Sequence, residues 1–145
     1  MGWLKIIKFF RLSWQSKLLL LATLAIALYS GVLFSFFKKK ARFVNGPLYG
    51  EGSGVSDAQL KKIIEIRWSI TTVSKITCWK NVCRHQAYQA VMLLRYFCIP
   101  YQVFVGFKKD GEGVTVGHVW TMAGQQIITG SCVPDEYVVF SKHEG

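Results

Sequence analysis

Acidic residues are scarce in this chain of 145 residues: Asp and Glu number 8 against 18 Lys and Arg, a formal net charge of +10. Residues 1–42 contain no acid at all, while Lys5, Lys8, Arg11, Lys17, Lys38, Lys39, Lys40 and Arg42 place +8 there and leave +2 for the remainder. A nucleic-acid-binding domain carries its basic patch on the folded unit, interleaved with aromatics, whereas these charges bracket an apolar run. They point to a membrane surface and away from nucleic acid. The 4 cysteines, at 78, 83, 98 and 132, form no C-x-x-C pair and no close repeating spacing, which argues against a zinc knuckle and a disulfide framework. A reducing compartment follows, with Cys98 and Cys132 expected as small buried apolar residues. G-x-G-x-x-G and Walker patterns are missing too, so Gly106 and Gly117 read as strand-end or close-packing glycines, not as a phosphate loop. There is no internal repeat and no low-complexity tract, and the length suits one compact domain with a helical preface.

In that preface, Trp3, Ile6, Ile7, Phe10 and Trp14 recur at helical spacing opposite Lys5, Lys8, Arg11 and Gln15, the pattern of an interfacial helix over 3–14. Leu18 to Phe37 then carries no charge and is about the ~20 residues that cross a hydrocarbon core. A transmembrane helix is the direct reading, and a core helix packed all round by other helices is the alternative. A secretory signal fits less well, because the run is long and no small-residue cleavage pattern precedes Lys38. The Lys38–Arg42 cluster favours a cytoplasmic C-terminal domain. Residues 1–43 are thus a helical, membrane-directed segment, the Gly- and Pro-bearing stretch 44–55 a linker, and 56–145 the folded domain.

Within 56–145, Ser56 and Asp57 can cap a helix to about Ser74, with Leu60, Ile63, Ile64, Arg67 and Trp68 supplying its apolar face. A break near Thr77–Asn81 precedes a second helix, Val82–Phe97, for which Asn81 is the expected N-cap. Its residues Cys83, Ala87, Ala90, Val91, Leu94 and Phe97 fall on one buried face. Tyr101–Phe107, Val114–Met122 and Gln125–Thr129 read as three strands of an antiparallel meander with a tight reversal at Ala123-Gly124, and Tyr137–Phe140 as a fourth. The fold class is α+β.

A cysteine in the first turn of a buried helix has its thiolate stabilised by unpaired backbone N–H groups and the positive helix end. A histidine on a neighbouring strand can serve as its base. Cys83 and His118 occupy those two places and are the candidate nucleophile and base. A metal site built from Cys78, Cys83 and His85 matches no familiar ligand spacing. Trp79 and Trp120 read as core or as walls of a substrate groove.

The stretch Trp79-Lys80-Asn81-Val82-Cys83, followed by Ala87, Ala90, Leu93-Leu94, Arg95, Ile99-Pro100, Gly106, Gly117-His118-Val119-Trp120 and Ile128-Thr129-Gly130, resembles the leader peptidases of lasso-peptide biosynthesis over about residues 75–140. Those proteins are similar to transglutaminases in their core, so the resemblance implies a transglutaminase/papain-like fold in which the helix bearing Cys83 packs on the meander. It also implies a Cys nucleophile at a helix start, a His followed by a small or apolar residue and Trp, and usually an Asp. Cys83 and His118 match the first two positions; where the Asp is expected, this sequence has Thr129, Gly130 and Ser131. An imidazole can be oriented by a hydroxyl, an amide or a backbone carbonyl. Thr129, expected opposite His118 in the hairpin, and Asp135, which with Glu136 is the nearby downstream acid, are the candidates for that role.

The resemblance further implies a split peptidase, which cuts a ribosomally made precursor peptide after its leader with the help of a separate leader-recognition protein. The freed amine is then joined to an acidic side chain by an asparagine-synthetase-like cyclase, and an ABC exporter completes the system. The location implied is the cytoplasmic side of a bacterial inner membrane. No metal or organic cofactor is needed for such chemistry. Two other classes remain open at this point: a catalytically silent membrane-anchored scaffold, and an acyltransferase on the same fold that passes the thioester to an amine.

Overall fold

The computed structural model describes residues 12–36, 55–77 and 81–145. The expected interfacial helix over 3–14 (all but its last residues), the Lys38–Arg42 cluster, the linker 44–55 apart from Val55, and Cys78 and Trp79 lie outside the described residues. Among the described residues, three helices, α1 (Trp14–Phe36), α2 (Asp57–Ile76) and α3 (Cys83–Tyr96), precede four strands, β1 (Gln102–Lys109), β2 (Thr115–Ala123), β3 (Gln126–Thr129) and β4 (Val138–Glu144). A short 3₁₀ turn, Pro134–Glu136, lies between β3 and β4.

The helix starts follow local chemistry. Ser56 and Gln59 form a reciprocal capping box at α2: the Gln59 N–H donates to Ser56 Oγ, and the Ser56 N–H donates to Gln59 Oε1 at 3.1 Å. Ile63, Ile66, Ile70 and Val73 then recur on one face and are buried. For α3 the N-cap is Val82, not Asn81, and no side chain caps it. Asn81 sits one residue too early and is gripped from the helix instead, its main-chain oxygen accepting from Gln86 Nε2 (2.9 Å) and its Oδ1 from Gln89 Nε2 (3.1 Å). At the other end, Cys98 and Ile99 donate their N–H groups to Arg95 O and Leu94 O, which satisfies two end carbonyls and ends the helix before Pro100. The reversal needs a left-handed residue, and Cys98 takes it at φ 52°. That placement makes Cys98 exposed, where a buried cysteine was expected.

The sheet is antiparallel throughout, in the order β3-β2-β1-β4. The meander is as expected, except that the reversal between β2 and β3 falls at Gly124-Gln125 and not at Ala123-Gly124. The last strand starts at Val138 and runs to Glu144, further than expected, because β1 offers it a partner back to Gln102↔Glu144. In strands, successive side chains alternate between faces. Val103, Val119 and Ala123 join Ile63, Ile66, Ala90, Leu93 and Leu94 in one apolar core, so that face of the sheet carries the helices. Phe104 and Trp120, directly opposite each other on β1 and β2, lie on the other face with their rings stacked at 5.4 Å. The end of the Trp120 ring passes over Gly106, where a Cβ would stand 3.1 Å from it.

Helix α1 completes the helical layer. Its Leu19 enters the main core, Leu20 and Ala27 pack with Val73 of α2, and Phe34 lies edge-on to His85 and Tyr88 of α3. It therefore runs parallel to α2 and antiparallel to α3. Thr23 Oγ1 lies 3.0 Å from Ser69 Oγ on α2, and each hydroxyl is also within reach of a carbonyl of its own helix, so both buried polar groups find partners. Burying a side chain such as Ile66, fully enclosed here, is worth about 1.5–3 kcal/mol. Ile66→Ala should lower stability in urea unfolding by about 2–5 kcal/mol, since the cavity adds to the lost transfer term. Leu21→Ala, on the exposed side of α1, should stay within about 0.5 kcal/mol.

Candidate active site

Cys83 is the first residue of α3. At about 100° per residue it shares a stripe with Ala87, Ala90 and Leu94, all fully buried, and so faces the same way as the stripe that carries α3 onto the sheet. The small side chains of Ala87 and Ala90 permit a close approach to β2 and β3, on which α3 packs. The helix makes its first two turn bonds from the N–H groups of His85 and Gln86 to Val82 O. With no side-chain cap present, the N–H groups of Cys83 and Arg84 have no hydrogen-bond partner among the described residues. These two donors at the positive end of the helix are suited to developing negative charge beside the thiol.

His118 lies in the middle of β2, opposite Gly106. Its imidazole stacks on Trp120 (6.3 Å between centroids) and meets Tyr137, the residue that leads into β4, at a tilt of 31° (5.4 Å). The orienting bond is 3.0 Å long and joins Nε2 to the main-chain oxygen of Gly130. A carbonyl only accepts, so Nε2 carries the proton and the neutral ring keeps its lone pair on Nδ1, the form a general base requires. Gly130 can reach this position because its φ is +68° and because a Cβ would stand 2.2 Å from Val119 O.

The ring's partner is neither of the side chains expected for that role. Thr129 pairs with Thr121, not with His118, because the turn falls at Gly124-Gln125, one residue later than expected, and the β2–β3 register shifts once more between Thr121 and Met122. Its hydroxyl is buried without a hydrogen bond, as is that of Thr121 across from it. Asp135 is exposed in the 3₁₀ turn and makes no bond to the ring. A peptide oxygen leaves little mark in a sequence; the available sign was a glycine directly after the third strand, where the Asp was expected.

Cys83 and His118 are not hydrogen-bonded to each other in this structure. By strand alternation the imidazole stands with Trp120 and Phe104, on the face away from the helix-packed core that holds Val119. The structure thus does not bring the thiol and the imidazole into contact. The remaining reactive groups are disposed otherwise. His85, two residues on from Cys83, is turned about 200° around the helix axis and meets Phe34 of α1 at 4.9 Å. Cys78 of the possible metal group lies outside the described residues. Burial pushes the Cys132 thiol up, although the residue is half-buried where a buried cysteine was expected. Burial, with the Arg84 charge beside it, holds His85 below its ordinary value, favouring the neutral ring.

The profile of the transglutaminase-like superfamily matches residues 36–142, well over half of the chain. The fold of helices on an antiparallel sheet is that of an α+β transglutaminase-like domain, and the chain belongs to this superfamily. Its members are in general Cys-His-Asp enzymes, peptidases or transferases. Neither a curated protein nor a solved structure matches the chain. Where the superfamily places an acid, the bond to His118 comes from the Gly130 carbonyl.

Two measurements follow from this geometry. Gly130→Ala must move the chain off Val119 O and leave φ +68°; it should cost about 1–3 kcal/mol in thermal or urea unfolding and remove the Nε2–H signature of His118 in ¹⁵N-edited NMR. For His85 the unfolded chain takes up a proton near 6.5 while the buried ring resists it, so the unfolded state binds more protons below that pH. Its contribution to stability is complete above 6.5 and declines as the pH falls from there toward the lowered folded value. His85→Gln should flatten the stability profile in that window.

Proposed function

We infer that this protein is a cysteine peptidase that removes the leader from a ribosomally made lasso-peptide precursor, acting beside a separate leader-recognition protein and an asparagine-synthetase-like cyclase. The observation that carries the reading is Cys83 at an uncapped helix start in a transglutaminase-like domain whose motif histidine, His118, is held through Nε2 with Nδ1 left as the basic atom. In the reaction, His118 Nδ1 takes the thiol proton as Cys83 Sγ attacks the scissile carbonyl carbon. The N–H of Cys83 steadies the resulting oxyanion. His118 returns the proton to the leaving amine, which departs with the core peptide, and water, deprotonated by the same ring, hydrolyses the leader thioester. In this reading the activity sits at the cytoplasmic side of a bacterial inner membrane, near the ABC exporter of such a system. Support for that placement comes from one helix among the described residues, Trp14–Phe34, long and apolar enough to cross a membrane, and from the Lys38–Arg42 cluster that follows it in sequence.

A scaffold without catalysis is the second reading, favoured by the lack of a bond between Cys83 and His118. An acyltransferase would use the same nucleophile and base with an amine in place of water.

Incubation with the precursor and the recognition protein, followed by mass spectrometry, separates the three. The wild type should release the leader, Cys83→Ala should release none, and His118→Ala should lose about 10²–10⁴-fold in rate. A leader–amine adduct that forms when an amine is added marks the transferase. A wild type that binds the precursor as tightly as Cys83→Ala does and cuts nothing makes the protein a scaffold.

A further inference from the structure

The exposed apolar residues of α1 form a line. Trp14, Leu18, Leu21, Leu28 and Val32 are 73, 50, 58, 49 and 50% exposed. Their spacing of four, three, seven and four residues puts them on one stripe along the whole helix, with the exposed Ala25 filling the gap. The opposite stripe, Leu19, Thr23, Ala27, Ser30 and Phe34, is buried against the domain. A continuous apolar strip of this length on a surface marks an interaction site.

Three observations select its occupant. The first is charge: the segment that contains α1 carries eight cations and no acid, which complements an anionic surface. The second is a hollow of about 540 Å³ beside the stripe, between α1 and α3, lined by Leu18, Ala22, Ile26, Met92 and Tyr96 with Lys62 at its polar side. Its walls match hydrocarbon chains, while Lys62 at its edge is ion-paired with Glu65. Tyr96, 80% exposed, and Trp14 are the aromatics that favour a headgroup layer.

The third observation sets the geometry. α2 runs alongside α1, tied to it through Thr23 and Ser69, and carries Lys61, Lys62, Glu65 and Arg67 beside that contact. Hydrocarbon does not accept such charges at helix mid-length. While α1 keeps its packing on the domain, it cannot cross a bilayer.

We propose that α1 lies flat in the headgroup region of an anionic phospholipid bilayer, its exposed stripe inward and its other face still holding the domain. This rests on the membrane association in the proposed function and replaces a spanning anchor with an in-plane one. The N-terminus of α3, with Cys83, is then carried at a fixed height above the lipid, because Phe34 of the same helix packs on His85 and Tyr88.

The test is flotation of the full chain with preformed vesicles of phosphatidylcholine alone or mixed with phosphatidylglycerol, followed by alkaline carbonate. The expected result is binding at least about tenfold stronger to the anionic vesicles, weakened by salt, with the protein released by carbonate. The double variant Leu21→Glu/Leu28→Glu should lose flotation while its circular dichroism melt stays in place; Leu21→Gln alone should give an intermediate loss if the double variant melts early. Flotation that resists carbonate keeps the membrane reading and overturns the flat docking. Absence of flotation with either vesicle overturns both. Wild-type flotation by folded variants overturns the stripe as the lipid face.

Discussion

The close packing of α3 between the sheet and the other two helices is the constraint on which the remaining structure depends. One stripe of this helix, Ala87, Ala90 and Leu94, goes to the strands and has no exposure. A second, with Gln89 and Leu93, is enclosed, and a third, His85 with Tyr88, receives Phe34 of α1. A helix enclosed on three sides cannot slide or rotate without opening voids in a dense interior. Its first residue, Cys83, is therefore fixed relative to β2, and the grip of Gln86 and Gln89 on Asn81 fixes the chain that leads into it.

The imidazole is held by a different kind of constraint. Its partner is a main-chain oxygen, delivered by a glycine in the left-handed conformation at the end of β3, and the aromatic rings of Trp120 and Tyr137 restrict its plane. A carbonyl sets the tautomer as an acid does, but it adds no full negative charge to stabilise an imidazolium. The protonated intermediate is then less favoured than with a carboxylate. A slow, partner-assisted reaction is compatible with such a site, as is the scaffold reading.

The helices and the meander were legible from the sequence because each rests on local signals: the Ser56 cap, helical spacing of apolar residues, and strand-like runs separated by turns. The apolar face of α2 was nevertheless misplaced, since Leu60, Ile64 and Trp68 are exposed and Ile66, Ile70 and Val73 are buried beside Ile63. What failed depended on long-range geometry. Asn81 has the right chemistry for a cap, and tertiary contacts with Gln86 and Gln89 recruited it elsewhere. Thr129 was placed opposite His118 by assuming a regular hairpin turning at Ala123-Gly124; a turn one residue later, at Gly124-Gln125, and one register shift together set it opposite Thr121. Cys98 looked like a core residue by type, yet the helix stop placed it at the surface. The polar residues Thr23, Ser30 and Ser69 were the understated clue that the apolar N-terminal run also serves as a packing element, since their hydroxyls are buried between or within helices.

The account turns on whether His118 activates Cys83, and the rate of iodoacetamide alkylation at each cysteine, followed by peptide mass spectrometry across pH, addresses that without a known substrate. Activation predicts that Cys83 reacts faster than the exposed Cys98 at neutral pH and that His118→Ala abolishes this excess. Equal rates at the two cysteines, unchanged by His118→Ala, would contradict it.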